Sequence, residues 1–442
     1  MKSKSEKRPI RVLRLLSRMN VGGPSLHVLH LTRELDRRGF ETRLAVGEPR
    51  AIEGSMIGLA RDLGVEPIII PGLDRPIDPL KDLRAFAEIL RLIIDFRPDI
   101  VHTHTAKAGI LGRMAAVMCR VPVIVHTFHG HVFEGYFEKG VSRGIIGLER
   151  VLARLSDLII TLSPFLREDL LRYLRIPRSE KVRVVPLGLD LSSFLLAVRH
   201  KERKDNMPSI LENSESEACF AAEEVRGSAA IPNIAENMVP QMPWRDGLGL
   251  PAESILLGIV ARLVPVKNHC GLLDAFALLA RKDARLHLAI VGGGECEEEI
   301  RKSVERHGLL GRVHLTGIES SIQRVYADLD LLVLASHNEG TPVVLIEALA
   351  TGCPVAATDV GGVRELLDGG RLGAILRKNP AGFFEDLEGA LRRLPQLEWA
   401  AHLGRLEIQD RFRIDHLVDH VADLYGEVLQ RRGKAEIVSY HS

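Results

Sequence analysis

The chain is short of cysteine, almost without net charge and free of long apolar runs, and each shortage excludes a class of protein. The five cysteines among 442 residues, at 119, 219, 270, 296 and 353, show no C-x-x-C spacing. Their odd number argues against a disulfide framework, and reduced cytosolic thiols fit best. No stretch reaches the roughly 18 uncharged apolar residues of a membrane-spanning helix. The basic start MKSKSEKRPIRVLRLL has its apolar run interrupted by Arg11 and Arg14, so no signal peptide is expected. A G-x-G-x-x-G turn followed about 20 residues later by an acidic group is also missing, which disfavours a dinucleotide oxidoreductase.

What is present is ordinary for a folded chain: 46% hydrophobic and 26% charged residues exclude a disordered or fibrous protein. The length suggests two or three domains. The formal charge of +1 hides an asymmetry. Residues 1–190 carry 31 Lys+Arg against 22 Asp+Glu, and residues 191–442 carry 28 against 36. A basic half beside an acidic half suggests domains with different partners.

Short β-branched runs alternate with amphipathic stretches: IRVLRLL, TRLAVG, PIII, DIVHT, PVIVHT, DLIITL and VRVVPL, then ILLGIVA, LHLAIV, RVHLT, DLLVLA and PVAAT. Apolar runs separated by helix-sized segments are the mark of buried parallel strands. Two such series predict an α/β protein of two doubly wound, Rossmann-like domains, 1–194 and 251–409. Between them, 195–250 is rich in Glu, Ser, Asn and Pro without a period, and is expected to be a polar, partly disordered insertion; a small ordered subdomain is the alternative. From about Asp410 the apolar positions Ile414, Leu417, Val418, Val421, Leu424 and Val428 predict a terminal amphipathic helix, 410–442.

Four constellations can carry chemistry. Gly22–Gly23–Pro24 follows the first strand and precedes a helix, where backbone can approach an anion closely; a plain tight turn is the alternative. His102, His104, His126, His129 and His131 cluster around the ends of two strands. A metal site is one reading, but no carboxylate accompanies them, and packing or hydrogen bonding is the other. Arg262 and Lys267, in a strand-to-helix loop, can neutralise two phosphates. In SHNEGTPVVLIEALATGCPV, Glu339 lies in a loop with Gly340, and Pro342 suits the first turn of a helix. Glu347 then follows about a turn and a half later, so loop amides can meet a phosphate while both carboxylates accept hydroxyl hydrogen bonds. Gly292–Gly294 with Glu295, and Gly361–Gly362, are weaker turns of similar placement. Asp328–Leu329–Asp330 matches a D-x-D metal motif but directly precedes a strand, and is read as structural.

These segments together resemble the retaining glycosyltransferases of family 4, which have the GT-B fold. The carriers are VGGPSLHVLHLTREL, VHTHTAKAGILGRMAA, HTFHGHVFEGYF, VPLGLDLSSF, IVARLVPVKNH, LTGI and SHNEGTPVVLIEALATGCPVAATDVGGVREL. The resemblance implies two domains facing across a cleft, with the C-terminal helix crossing back to the first. It implies transfer of a sugar from a nucleotide-diphosphate donor, UDP- or GDP-linked, to a lipid-linked or saccharide acceptor in cell-surface polysaccharide biosynthesis. Arg262 and Lys267 would hold the diphosphate in place of a metal, Glu339 would contact the sugar, and Glu347 the ribose. Gly340, Thr341, Pro342 and Val343 would line the phosphate and sugar, with Gly293 and Glu295 also on the donor side. Gly22 and Gly23 would approach from the first domain, and His129 would stand beside the sugar. No cofactor, metal or nucleic acid is expected. The sequence departs from the family at Ala261, where a glycine is usual, and in the 195–250 insertion.

Residues 132–155, with Lys139, Arg143, Arg150 and Arg154, form a basic amphipathic stretch. Reversible contact with the inner face of a cell membrane by a cytoplasmic protein is one expectation, and an amphipathic helix with a solvated face is the other. A sugar-nucleotide 2-epimerase of the same architecture and a catalytically silent sugar-nucleotide binder are the competing functions.

Overall fold

The computed structural model describes residues 8–20, 22–48, 54–74, 78–130, 139–176, 179–197 and 243–433, with backbone alone at 139–143 and 145. Most of the expected insertion (198–242), His131 and the following seven residues therefore lie outside the described residues, as do the side chains of Lys139 and Arg143.

The first seven strands are β1 (Arg11–Leu16), β2 (Glu41–Val46), β3 (Ile68–Ile69), β4 (Ile100–His104), β5 (Val123–Phe128), β6 (Leu158–Thr161) and β7 (Val182–Val184). They form one sheet in the order β3-β2-β1-β4-β5-β6-β7. The second sheet, β10-β9-β8-β11-β12-β13, is built from β8 (Ile255–Val260), β9 (Leu286–Val291), β10 (Val313–Gly317), β11 (Leu331–Leu334), β12 (Val355–Thr358) and β13 (Ala374–Leu376). Every pairing is parallel. The runs read from sequence become strands within three residues, the largest difference being at β7, which ends at Val184. The thirteenth, β13, is a three-residue edge strand whose run was too short to register.

The physical reason is burial on both faces. β5, β9, β11 and β12 are buried at every position, so no polar alternation survives in them. In each sheet the chain order reverses beside the first strand, at β1/β4 and at β8/β11. Ligands of open α/β sheets bind at such switch points, outside the carboxyl ends of the strands. The two crevices thus define where a site can form.

The last helix, Ile414–Arg431, returns to the first domain. Its Leu417, Val418, Val421 and Tyr425 pack with Val12, Leu31 and Val123 in one buried cluster. Gly188 makes room for this crossing, because a Cβ there would lie 2.6 Å from the Cβ of Leu417. Beside it, Leu189 donates its amide to the Phe412 carbonyl at 2.9 Å. Leu187, Leu189 and Leu191 already belong to a cluster dominated by the second domain.

Candidate active site

At the carboxyl end of β8 the chain turns through Ala261–Asn268, and at that of β11 through Ala335–Pro342. The amide of His337 donates to the Val266 carbonyl at 2.8 Å, which ties the two loops together. That tie sets Lys267 against Glu339: Nζ lies 2.5 Å from Oε1. The same oxygen accepts the Ser336 hydroxyl at 2.6 Å, so the carboxylate is held from two sides while still partly exposed. Arg262, half-buried, makes no side-chain hydrogen bond or ion pair with the described residues, and its charge is available to a ligand.

Helix Val343–Ala350 begins directly after Pro342, which stands at the cap one residue ahead of the first turn expected for it. Glu347, the fifth residue of this helix, accepts the Tyr326 hydroxyl at 2.8 Å. Burial pushes the Glu347 carboxyl up to about 7, and the Tyr326 hydrogen bond opposes that rise. The glycine triplet after β9 has a packing cause. A Cβ at Gly292 would lie 2.0 Å from the Ala261 carbonyl, and one at Gly294 would lie 2.4 Å from that of Leu263. These glycines therefore let one loop lie flat on the loop bearing Arg262; Glu295, beside them, is exposed.

On the first domain, Gly22 caps helix Gly23–Arg37. Behind it lie five imidazoles. His102 bonds the Tyr425 hydroxyl at 2.6 Å and the Thr127 hydroxyl at 2.7 Å, and His126 bonds Thr103 at 2.8 Å. Those two brace the sheet and the returning helix. His104 and His129 share a hydrogen bond at 3.0 Å, and the His27 ring stands edge-on to His129 with centroids 5.0 Å apart. Desolvation, with repulsion from neighbouring imidazoles and Arg14, holds His27 and His104 well below the ordinary histidine range. Burial alone takes His129 down to about 3. One nitrogen from each of His27, His104 and His129 lies within 4.8 Å of the other two, so this neutral trio could hold a metal ion, although no carboxylate joins it among the described residues.

The two half-sites meet through glycines. A Cβ at Gly23 would lie 2.9 Å from Val343 Cγ2, and one at Gly340 would lie 2.4 Å from the His129 carbonyl oxygen. Gly361, at φ +54°, passes so close to Glu339 that a Cβ would lie 1.8 Å from its carbonyl oxygen. The structure thus brings Gly23, His129, Gly340 and Val343 together where the domains meet, beside the Lys267–Glu339 pair. Thr341 joins them through the chain but turns elsewhere: it lines a cavity with Ser163 and Glu365, and its buried hydroxyl has no partner among the described residues.

Three residues of this arrangement escaped the sequence reading. Ser336 and Tyr326 hold the two carboxylates, and His27 completes the imidazole trio. Only Ser336 had a signal, three residues ahead of Glu339. The D-x-D carboxylates are absorbed by the fold, Asp328 accepting the Arg245 amide at 3.0 Å and Asp330 the Leu256 amide at 2.8 Å.

Two family models match the chain: Glycosyltransferase Family 4 over residues 21–193, and Glycosyl transferases group 1 over residues 241–393. A UDP-Gal:alpha-D-GlcNAc-diphosphoundecaprenol alpha-1,3-galactosyltransferase of Escherichia coli is 27% identical over 82% of this chain and 84% of its own length. A D-inositol 3-phosphate glycosyltransferase of Xylanimonas cellulosilytica is 25% identical over 93% of each. Among solved structures, Anabaena HepE in complex with UDP and glucose superposes with a TM-score of 0.71 at 18% identity, covering 95% of this chain and all of its own. These likenesses establish the GT-B fold.

Proposed function

For this chain, which is a glycosyltransferase of GT-B fold, we propose transfer of a sugar from a nucleotide-diphosphate donor to a lipid-linked or saccharide acceptor, with retention and without a metal, in cell-surface polysaccharide biosynthesis. One observation carries the reading: Lys267 and Glu339 are locked together at the β8/β11 switch point, and the adjoining Gly340 and Val343 meet His129 and Gly23 of the first domain. In this reading Arg262 and Lys267 neutralise the diphosphate and stabilise the departing nucleotide. Glu339 contacts the transferred sugar and Glu347 accepts from the ribose hydroxyls. The amides of Gly340, Thr341 and Val343, at the start of a helix, favour anionic oxygens, and Pro342 shapes that entry. Gly22 and Gly23 admit the diphosphate from the other side, Gly293 and Glu295 border the donor, and His129 stands by the sugar.

UDP is the donor base favoured by the relatives, since the E. coli enzyme is named for UDP-Gal and HepE was solved with UDP. The same E. coli name supports a diphospho-polyprenol acceptor. With a lipid acceptor the enzyme would work at a membrane surface, in this reading the inner face. No described helix is long and apolar enough to cross a membrane. Helix Lys139–Leu155 instead exposes Leu148, Val151 and Leu155, and Met118 on the adjoining helix Ala106–Met118 is also exposed. Arg150 is tied to the Tyr173 carbonyl at 2.9 Å, so the apolar residues, not this cation, would lead such contact.

A thermal-shift screen over UDP-, GDP- and ADP-sugars tests the donor site, because a ligand at 100 times its Kd adds about 2.7 kcal/mol. No shift with any of them contradicts the reading. A 2-epimerase or a silent binder would pass this screen and then fail to glycosylate a polyprenyl-linked acceptor.

A further inference from the structure

Tyr326 lies on helix Ile322–Asp328, fully buried, and its hydroxyl is bound to a single acceptor, Glu347 Oε2. No other side chain among the described residues hydrogen-bonds that carboxylate. We infer that Tyr326 is a positioning residue for the donor's ribose: by occupying one oxygen of Glu347 it fixes the carboxylate plane and keeps the other oxygen for the ribose hydroxyls. The inference rests on the reading of Glu347 as the ribose ligand.

Among the described residues this bond is the one polar side-chain contact of Glu347. Helix Leu394–Arg411 turns Ala401 and Ile408 into the cluster that holds Tyr326, and the Phe194 ring lies 6.2 Å from that of Tyr326. Strands β11 and β12 contribute the buried apolar Leu332, Leu334, Val355 and Ala357, while the Thr358 hydroxyl is spent on the Ser336 carbonyl at 2.6 Å. The buried Cys353 thiol acts on Tyr326 and disfavours its ionisation. In such surroundings the charged form of a carboxyl is disfavoured, and Glu347 sits at about 7 with the tyrosine bond already lowering it. A charge-assisted hydrogen bond is roughly twice as strong as a neutral one. Removing the hydroxyl therefore both frees the carboxylate to rotate and lets its pKa climb, and each change weakens its grip on a diol. His129 and His269, held near 3 and 4 by burial, stay neutral through the same range, so they do not confuse the titration.

The test is calorimetric titration of the full chain with UDP-glucose between about pH 6 and pH 8.5, for wild type, Tyr326→Phe and Glu347→Gln. A hydrogen bond to a charged group accounts for a pKa shift of about one to two units. Wild-type affinity should strengthen as pH rises through 7. Tyr326→Phe should bind about five- to fiftyfold more weakly at pH 7 and recover to within about fourfold at pH 8.5, because the competent ionised fraction is restored. Glu347→Gln should be weak and flat with pH. A Tyr326→Phe loss that is the same at every pH, or no loss, overturns the positioning role while leaving the donor site intact. Glu347→Gln binding like wild type overturns instead the ribose reading beneath it. If wild type ignores UDP-glucose, the same titrations use GDP-mannose, and binding of neither removes the donor site itself.

Discussion

Lys267 Nζ lies 2.5 Å from Glu339 Oε1, although 72 residues separate them in the chain. Two strand-end loops on either side of a switch point bring them together, and Ser336 shares the accepting oxygen. The lysine thereby orients the carboxylate, and in the proposed function it would turn to the donor phosphate on binding.

Glu339→Gln and Lys267→Ala should each lower transfer by about 10²–10³-fold, the usual cost of losing one preorganised electrostatic contact. Both sites are partly exposed, so thermal midpoints should move little. Steady-state release of the nucleotide diphosphate measures the loss. Wild-type rates in either variant would mean that the chemistry lies elsewhere.

Gly340→Ala should hold the two domains apart. Its Cβ would fall 2.4 Å from the backbone oxygen of His129, an atom that no side-chain rotation can remove. Activity should drop at least about tenfold through a raised KM for donor, as expected when closure assembles a site. Solution scattering should show a larger radius of gyration. Gly389→Ala, in helix Pro380–Arg392 with nothing within 4 Å of the new Cβ, is the control. It should be neutral or stabilised by about 0.5–1 kcal/mol.

Buried imidazoles should make the fold acid-sensitive. His27, His102, His104 and His126 are held well below the ordinary histidine range by burial, and His129 sits near 3. Above about 6.5 folded and unfolded forms are both neutral, and these groups contribute no pH dependence. Below it the unfolded chain binds more protons, so stability falls with pH, and it continues to fall until the folded imidazoles themselves protonate. Thermal midpoints should therefore decline between about pH 6.5 and pH 4, and a flat profile there would contradict the buried neutral cluster.

How much of this was legible depended on whether a signal was local. Both sheets could be read because parallel strands buried on two faces are continuous apolar runs, and the returning helix could be read from its 3.6-residue period. Glu339 and Glu347 stood out as two carboxylates in an otherwise apolar segment. Their partners did not. Tyr326 sits in a helix whose inward residues simply look apolar, and His27 occupies an ordinary inward position of helix Gly23–Arg37. Which imidazoles share a bond depends on strand register, β4 beside β5, and spacing alone could not sort His102 and His126, which brace, from His104 and His129, which bond each other. The glycine triplet 292–294 pointed to a ligand loop, yet Gly292 and Gly294 are required by the Ala261 and Leu263 carbonyls. Sequence shows that backbone must come close there, but not to what.

The most direct test follows a labelled sugar from the nucleotide donor found in the screen to a GlcNAc-diphospho-polyprenol acceptor, with Glu339→Gln alongside and with EDTA present. The account predicts one nucleotide diphosphate released per sugar transferred, retention of the donor's anomeric configuration, no effect of EDTA, and a loss of about 10²-fold or more in the variant. A sugar altered without any acceptor, or transfer that survives Glu339→Gln unchanged, would contradict it.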